Sequence, residues 1–244
     1  MFSLGNLKRF NFGISLTIRY FAGSKSSKLK LEYRDISREY YPAVLKHLTH
    51  NFFVNEPLML TMAPTLKCSE FMAYADKDTL DMLGENFSVM AVNGNNEIAG
   101  VAINHKVSSG DFQDARDQLH TINDENYRKL LKLLYDYTLE ANIFECFQID
   151  EYFELHMLSV DGKFRGEGIG KHLINDSENM AKKHGFKLMK SDATGAFSQK
   201  LFKSAGFEVV HEVLYNEYVD SNNKPIFPVA PPHTKLQLVC KCLD

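Results

Sequence analysis

The chain has 244 residues, a net charge of -3 at pH 7, 44% hydrophobic residues and 24% charged residues. This length suits one large domain or two small ones, and the composition is ordinary for a globular protein. A slightly acidic chain without a run of roughly 18–20 apolar residues predicts neither a nucleic-acid partner nor a membrane partner.

The N-terminal segment, residues 1–27, differs from the rest of the chain in charge. Asp and Glu are absent from the first 31 residues, whereas six Lys or Arg residues occur there. A basic segment that contains serines and no acids is typical of a mitochondrial transit peptide, and RYFAGS, which begins at Arg19, resembles a cleavage site. Apolar residues alternate from Phe10 to Ile18, which favours a strand. A disordered cytosolic tail is therefore the alternative, and we expect a cytoplasmic or mitochondrial matrix protein that is not secreted.

The rest of the chain begins with a strand and two helices. Alternating apolar and polar residues predict a strand over 29–36. Ser37 is the predicted N-cap of a helix, in which Pro42 is tolerated because it falls in the first turn. Pro57 disfavours helix at the residue before it and interrupts the pattern. A second helix is predicted over 69–83.

The middle of the chain contains a predicted β-hairpin. Two alternating runs within 87–107 flank the turn sequence NGNN at 93–96, which is a strong hairpin signal. The polar stretch 108–123 is predicted to be a loop. Leucines at helical spacing predict one long helix over 124–147.

The last third of the chain alternates strands with helices. A strand over 152–160 precedes a helix over 168–184, which Gly185 ends. The next elements are a strand over 186–193, a helix over 196–205, a strand over 207–215 and a strand over 234–243 after a proline-rich loop. Because no internal repeat interrupts it, this pattern indicates one mixed α/β domain over residues 28–244.

Three glycines lie within five residues in LSVDGKFRGEGIG, between a predicted strand and a predicted helix. A P-loop would need Gly at position 165 and Ser or Thr at position 172, which are Arg165 and His172. A dinucleotide-binding turn would need a third glycine at Lys171. The pattern that does match is Arg-x-x-Gly-x-Gly, formed by Arg165, Gly168 and Gly170. An ordinary strand-to-helix turn is the alternative.

With a strand before it, a helix after it and FKSAGF further along the chain, this turn resembles the GNAT superfamily of N-acetyltransferases. The resemblance implies an α/β fold with a central, mixed, mostly antiparallel twisted sheet of about seven strands. Helices would flank the sheet, and its strands would splay at an acetyl-CoA site. Backbone amides at the helix start would bind the pyrophosphate of acetyl-CoA. The cofactor-binding residues that the resemblance implies are Leu158, Ser159, Val160, Arg165, Gly166, Glu167, Gly168, Ile169, Gly170 and Lys171.

A second motif narrows this resemblance to one branch. NFFVNEPL at 51–58 is similar to the Phe-x-x-Glu-Pro-Leu signature of the invertebrate arylalkylamine (dopamine) N-acetyltransferases, and VAPPHTKLQLVCK is similar to their last loop and strand. The similarity extends from about Lys30 to the end of the chain. It implies direct transfer of acetyl from acetyl-CoA, in a ternary complex, to dopamine, tyramine, octopamine, tryptamine or serotonin.

Amine acetylation needs a base, because an amine with a pKa near 10.4 is almost wholly protonated at neutral pH. Glu56 matches the glutamate of the family signature and is the predicted base, with a solvated loop residue as the alternative. Ser198 matches one of two serines that assist in this branch, and a helix-start residue is the alternative. Thr194 replaces the other serine, which puts its role in doubt.

The strand before the glycine turn carries a further candidate, His156. The vertebrate branch has His-x-His there, whereas this chain has Glu154 in place of the first histidine. His156 is predicted to be a secondary base acting through water, and a hydrogen-bonded core histidine is the alternative. Many superfamily members have a tyrosine that protonates the departing thiolate, and Phe202 stands at that position.

Other functions stay open on the sequence. The acyl acceptor could instead be a polyamine, an amino acid or a protein amine, and a catalytically weak CoA-binding module is a further alternative. No histidine shows metal-ligand spacing, so we expect no metal. We expect a small-molecule amine as the partner and a monomer or weak dimer.

Overall fold

The computed structural model of the chain describes residues 30–62 and 69–244. Residues 1–27, for which a transit peptide is predicted, lie outside the described residues. No helix of the described part of the chain is both long enough and apolar enough to cross a membrane.

Seven strands of the described residues form a single sheet in the order β1-β2-β3-β4-β5-β7-β6. They are β1 (Leu31–Asp35), β2 (Val89–Asn93), β3 (Ile98–Ser108), β4 (Glu151–Val160), β5 (Leu188–Ala193), β6 (Glu208–Leu214) and β7 (Lys235–Cys242). Neighbouring strands are antiparallel except β4 and β5, which are parallel. The predicted mixed, mostly antiparallel sheet of about seven strands is confirmed.

Helices cover both faces of this sheet. In the described residues they are α1 (Tyr41–Asn51), α2 (Pro57–Thr61), α3 (Ser69–Gly84), α4 (Asp111–Asp117), α5 (Glu125–Glu140), α6 (Ile143–Phe147), α7 (Ile169–Lys183) and α8 (Ala196–Ser204). One core packs α1, α3 and α5 against the sheet, and Leu48 and Leu133 are buried in it. A second core packs α7 and α8 on the other face, around Leu173 and Phe202. Each large apolar side chain that is fully buried contributes about 1.5–3 kcal/mol.

Two sequence-based predictions in the middle of the chain are wrong. The segment 108–123, predicted to be a loop, contains α4, because Phe112 packs into the core and Arg116 pairs with Asp136 of α5. The single helix predicted over 124–147 is two helices. Asn142 has φ 46°, a left-handed conformation that Asn tolerates, and it separates α5 from α6.

Two helix starts also differ from the predictions. Ser37 forms no side-chain cap and precedes a short 3-10 helix, and α1 starts only at Tyr41, with Pro42 in its first turn. After the break at Pro57 the chain resumes as α2, which was not predicted. Glu56 is its N-cap residue, and the Glu56 carboxylate accepts a hydrogen bond from the Met59 amide.

The strands β4 and β5 separate soon after they meet. Their pairing consists of Phe153 with Met189 and Glu154 with Lys190. Beyond this point the Ser191 hydroxyl donates to the Leu155 carbonyl over 2.7 Å in place of a further backbone bond. The register of β3 against β4 also shifts here and leaves His156 as the extra residue of a β-bulge. The resulting gap between the two strands is the predicted splay.

Candidate active site

A cavity of about 1610 Å³ is lined by residues of both separating strands. Every predicted site residue except one contributes to its lining: Glu56, His156, Leu158, Ser159, Val160, Arg165, Gly166, Gly168, Ile169, Gly170, Lys171, Thr194 and Ser198. The exception is Glu167, which is exposed and is not part of the lining. We call the part formed by 158–171 the donor end and the part formed around Glu56 the acceptor end.

The glycines of the donor end serve different purposes. Gly166 and Gly168 have φ values of 88° and 78°, in the left-handed region that favours glycine. A Cβ atom at either position would meet nothing within 4 Å, so these glycines are needed for the backbone conformation. At Gly170 a Cβ atom would come within 3.0 Å of a Leu201 methyl group. Gly170 therefore permits close packing of α7 on α8.

The N-terminus of α7 fits a diphosphate. Its N-cap is Gly168, which offers no side-chain acceptor to the free amides of the first turn, and no acidic residue lies in that turn. The helix dipole is thus left unneutralised at this end. Arg165 and Lys171 line the cavity on either side and add positive charge.

The acceptor end is organised around a buried carboxylate. Glu56 is 9% exposed, and its Oε2 accepts from the Met59 amide over 2.7 Å. Its Oε1 is buried without a hydrogen-bond partner. Burial raises the pKa of Glu56, while the nearby Thr194 hydroxyl and the amides of Met59 and Leu58 act in the opposite direction. The structure thus brings Glu56 and Thr194 together at a site where a proton acceptor faces a cavity.

The segment between β5 and α8 holds the two predicted hydroxyl residues. The Thr194 carbonyl accepts from the Tyr215 hydroxyl over 2.7 Å, which anchors the segment. The Ser198 hydroxyl donates to the Gly195 carbonyl over 2.8 Å and accepts from the Gly195 amide. Ser198 therefore closes the first turn of α8, as the helix-start interpretation requires, and it also lines the cavity.

His233, for which the sequence predicts no role, lies at the junction of three segments. Its Nδ1 accepts from the Ala196 amide over 3.0 Å, which leaves Nε2 as the protonated nitrogen. A Cβ atom on Gly195 would come within 3.1 Å of that nitrogen and within 3.2 Å of Pro57. His233 lines the cavity. In the sequence, only the resemblance of the loop VAPPH to the last loop of the family indicated that this residue lies near the site.

A buried ionic network forms another part of the cavity wall. Lys190 is 0% exposed, and its ammonium pairs with Glu154 at 3.1 Å and with Asp192 at 2.7 Å. Burial opposes ionisation of Glu154, but Lys190, His156 and His105 together outweigh it and lower the pKa of that carboxyl. His105 lies 3.9 Å from Glu154, and burial lowers the pKa of His105 to about 4. His156 joins the network through Glu154 at 3.4 Å.

The sequence placed Glu154 and His156 on one strand but did not indicate this network, because His105 on β3 and Lys190 and Asp192 on β5 are far from them along the chain. Atoms of His105, Glu154 and His156 that could bind a metal lie within 4.8 Å of one another. Glu154 is already paired with Lys190, so we assign the group no metal, and that assignment stays a prediction.

Aromatic side chains line the cavity beyond the network. Phe112 contacts Tyr135 with ring centroids 5.6 Å apart, and Phe71 contacts Tyr127 at 5.1 Å. The Tyr127 hydroxyl donates to the Asp78 carboxylate over 2.7 Å. The acceptor end can therefore surround the aromatic ring of a ligand and still offer that ligand a polar group.

Comparisons with known proteins agree with this geometry. Residues 111–221 match the model of the acetyltransferase (GNAT) domain. The chain is 40% identical to arylalkylamine N-acetyltransferase 2 from Aedes aegypti, with a TM-score of 0.83 over 88% of this chain and 99% of that chain.

Two further structures share the fold at lower identity. A mosquito arylalkylamine N-acetyltransferase like 5b has a TM-score of 0.81 at 21% identity, over 88% of this chain and 100% of that chain. A polyamine N-acetyltransferase of Drosophila melanogaster has a TM-score of 0.78 at 17% identity over the same shares of the two chains. Domain match, sequence identity and cavity together lead to one conclusion: the chain belongs to the GNAT family of acetyltransferases and is an acyltransferase.

Proposed function

We propose that the protein transfers acetyl from acetyl-CoA to the primary amine of an arylalkylamine, with Glu56 as the general base. The observation that carries this proposal is the buried, partly unpartnered Glu56 carboxylate in a cavity that also contains the uncapped N-terminus of α7. The 40% identity to an insect arylalkylamine acetyltransferase supports the choice of acceptor.

At the donor end, we assign the pyrophosphate of acetyl-CoA to the free amides of α7. Arg165 and Lys171 would supplement them with side-chain charge. The gap beside β4 would accept the pantetheine arm along Leu158, Ser159 and Val160, because β5 no longer pairs with this part of β4. An amide of that strand would then stabilise the oxyanion that forms when the amine attacks the thioester.

At the acceptor end, Glu56 attracts the cationic amine and takes its proton. Burial raises the pKa of the Glu56 carboxyl, which makes its carboxylate a stronger base than an exposed glutamate. Thr194 lies beside it and would help to hold the amine or a bridging water. We assign Ser198 as a relay that would pass a proton from water to the thiolate, because Phe202 has no proton to donate; its hydroxyl would release the Gly195 carbonyl to do so. His156 would act as a secondary base through water.

The experiment is an acceptor panel assayed with the full chain by thiol release from acetyl-CoA. We expect dopamine, tyramine, octopamine, tryptamine or serotonin to give kcat/KM values at least about tenfold above those of diamines, amino acids and a lysine peptide. One missing contact of 1.4 kcal/mol accounts for such a ratio. Turnover that favours a diamine or a peptide would contradict the arylalkylamine assignment. Acetyl-CoA binding without turnover of any amine would contradict the proposed acetyl transfer.

A polyamine is the second candidate acceptor. Its support is the acidic character of the cavity, whose lining includes Asp78, Asp81, Glu85, Asp111 and Asp192. Carboxylates at a distance from Glu56 would suit a second cationic group. The same acceptor panel, extended by an aliphatic monoamine, separates the two candidates, because a diamine and a monoamine of equal length differ mainly in that second charge.

We also propose that residues 28–244 are one acetyltransferase domain that acts as a monomer or weak dimer, either in the cytoplasm or in the mitochondrial matrix. Import of residues 1–27 fused to a fluorescent reporter tests the compartment. Retention of the reporter in the cytosol would contradict mitochondrial targeting.

A further inference from the structure

His47, for which the sequence predicts no role, lies against the donor end of the cavity. It is on α1, is 7% exposed, and its Nε2 is 3.0 Å from the Ser159 hydroxyl oxygen. Ser159 is itself 4% exposed and belongs to the cavity lining. The contact therefore joins a buried imidazole to a hydroxyl in the wall of the site.

Asn51 determines which ring nitrogen of His47 carries the proton. The Asn51 amide nitrogen donates to the His47 carbonyl over 3.2 Å, and this bond sets the orientation of the amide. The same nitrogen faces Nδ1 of His47 at 3.4 Å. Because an amide N–H must meet a lone pair, Nδ1 is the acceptor and the proton is on Nε2. Burial lowers the pKa of His47 to about 4, so the ring carries that single proton at neutral pH.

This tautomer sets the direction of the Ser159 hydroxyl. Nε2–H of His47 donates to the serine, so the serine oxygen accepts and its own hydrogen must point elsewhere. Among the described residues, no acceptor for that hydrogen is found. Ser159 lies opposite Val101 of β3 in the sheet and lines the cavity, so its hydroxyl is left as an oriented donor at the cavity wall.

We propose that the Ser159 hydroxyl donates a hydrogen bond to a carbonyl oxygen of bound acyl-CoA, and that His47 and Asn51 are positioning residues that orient it. The inference rests on the proposed binding of acetyl-CoA along β4. The carbonyl is that of the thioester or that of a pantetheine amide, and both have the same acceptor chemistry. Ser159 would be the residue that touches the substrate, whereas His47 acts through it.

The test compares Ser159→Ala, His47→Leu and His47→Gln by steady-state kinetics in acetyl-CoA. We expect Ser159→Ala to lower kcat/KM for acetyl-CoA about tenfold, the effect of one hydrogen bond. The loss would fall on KM if a pantetheine amide is the acceptor, and on both KM and kcat if the thioester carbonyl is, because its oxygen gains charge in the transition state. His47→Leu should match Ser159→Ala. His47→Gln should restore most of the activity, since its amide can place a donor near the former Nε2–H.

Two further measurements separate positioning from other roles. The double variant Ser159→Ala with His47→Leu should be no worse than Ser159→Ala alone, because His47 acts only through the serine. The pH profile of His47→Gln should coincide with that of the wild type between about pH 5 and 9, since a neutral His47 does not titrate there. His50→Gln, an exposed change on the same helix, is the matched control and should leave the kinetics unaltered.

Unchanged kinetics in Ser159→Ala, with an unchanged melting temperature, would overturn the inference. A shifted pH limb in His47→Gln would overturn the positioning role. If the wild type bound acetyl-CoA but acetylated no amine, the proposed function would fail on its own. Calorimetry would then decide this inference, because Ser159→Ala should still weaken acetyl-CoA binding about tenfold, and an unchanged affinity would overturn it.

Discussion

The donor end and the acceptor end of the cavity are built in different ways. The donor end comes from one continuous segment, 158–171, and offers mainly backbone amides. The acceptor end combines Glu56 from α2 with Thr194 and Ser198 from the β5–α8 segment and His233 from the loop before β7. The sequence motif of the donor end is therefore local, whereas the acceptor end exists only when three distant segments have folded together.

The two ends also differ in burial. Gly166 and Gly168 are exposed, so the donor end costs little desolvation. At the acceptor end Glu56, Glu154 and Lys190 are buried ionisable groups. A charge taken out of water must be compensated by its partners, so changes at this end should affect stability together with activity. Changes at the donor end should affect mainly coenzyme binding.

The largest expected effect is on stability at the acceptor end. Lys190→Met removes the cation between Glu154 and Asp192 and leaves two buried carboxylates without their partner. We expect a loss of about 3–5 kcal/mol in the free energy of unfolding, measured by urea denaturation. Lys187→Met, an exposed change at the residue before the same strand, should cost less than about 0.5 kcal/mol. A similar loss of stability in both variants would show that the buried ionic network does not make the acceptor end more sensitive to substitution than the surface.

The second-largest effect is expected for Glu56→Gln. This change should lower kcat about 100-fold to 1000-fold, because a general base contributes that much. The wild-type kcat/KM should fall as the pH drops through the raised pKa of Glu56, since only the carboxylate accepts a proton. The variant should lack this limb. Glu39→Gln, an exposed change, is the control, and an unaltered pH profile in Glu56→Gln would remove Glu56 as the base.

The same variant should be more stable than the wild type at neutral pH. Because burial raises the pKa of Glu56, the folded state binds the proton more tightly than the unfolded state. Stability is therefore lost as the pH rises through the folded pKa, and an uncharged glutamine avoids this loss. Thermal melting at pH 7 measures the effect, and a lower melting temperature would contradict a destabilising carboxylate.

Gly168→Ala tests the donor end. We expect KM for acetyl-CoA to rise about tenfold, and stability to fall by about 1–2 kcal/mol, because alanine is strained at a φ of 78°. Gly162→Ala is the matched control, since a Cβ atom there also meets nothing within 4 Å and no positive φ opposes it. Equal KM values for the two variants would show that the turn conformation does not serve coenzyme binding.

The smallest expected effect is that of Arg165→Ala, at the exposed edge of the donor end. A solvent-exposed cation contributes about 0.2–1 kcal/mol, so KM for acetyl-CoA should rise about threefold at low salt. The difference should disappear at about 1 M salt, where screening removes exposed interactions. Lys163→Ala, an exposed change outside the cavity lining, should have no effect. A rise in KM that persists at high salt would point to a buried contact.

The sequence by itself determined the order of the sheet's strands along the chain, α7 and the glycine turn. Alternation of period two and a left-handed glycine conformation are local properties, so neighbouring residues suffice to specify them. Glu56 was also indicated by its local motif. Local patterns did not predict α4, which tertiary contacts stabilise. They also did not predict the break at Asn142, where one left-handed residue interrupts the helical spacing.

Only the tertiary structure decided which side chains meet. The pairing of Lys190 with Glu154 and the contact of His47 with Ser159 join residues that are 36 and 112 positions apart in the chain. No spacing predicts such contacts, because they depend on how strands separate and helices pack. Burial shifts the pKa values of Glu56 and His47, and buried partners lower the pKa of Glu154, so the chemistry of both ends depends on the completed fold.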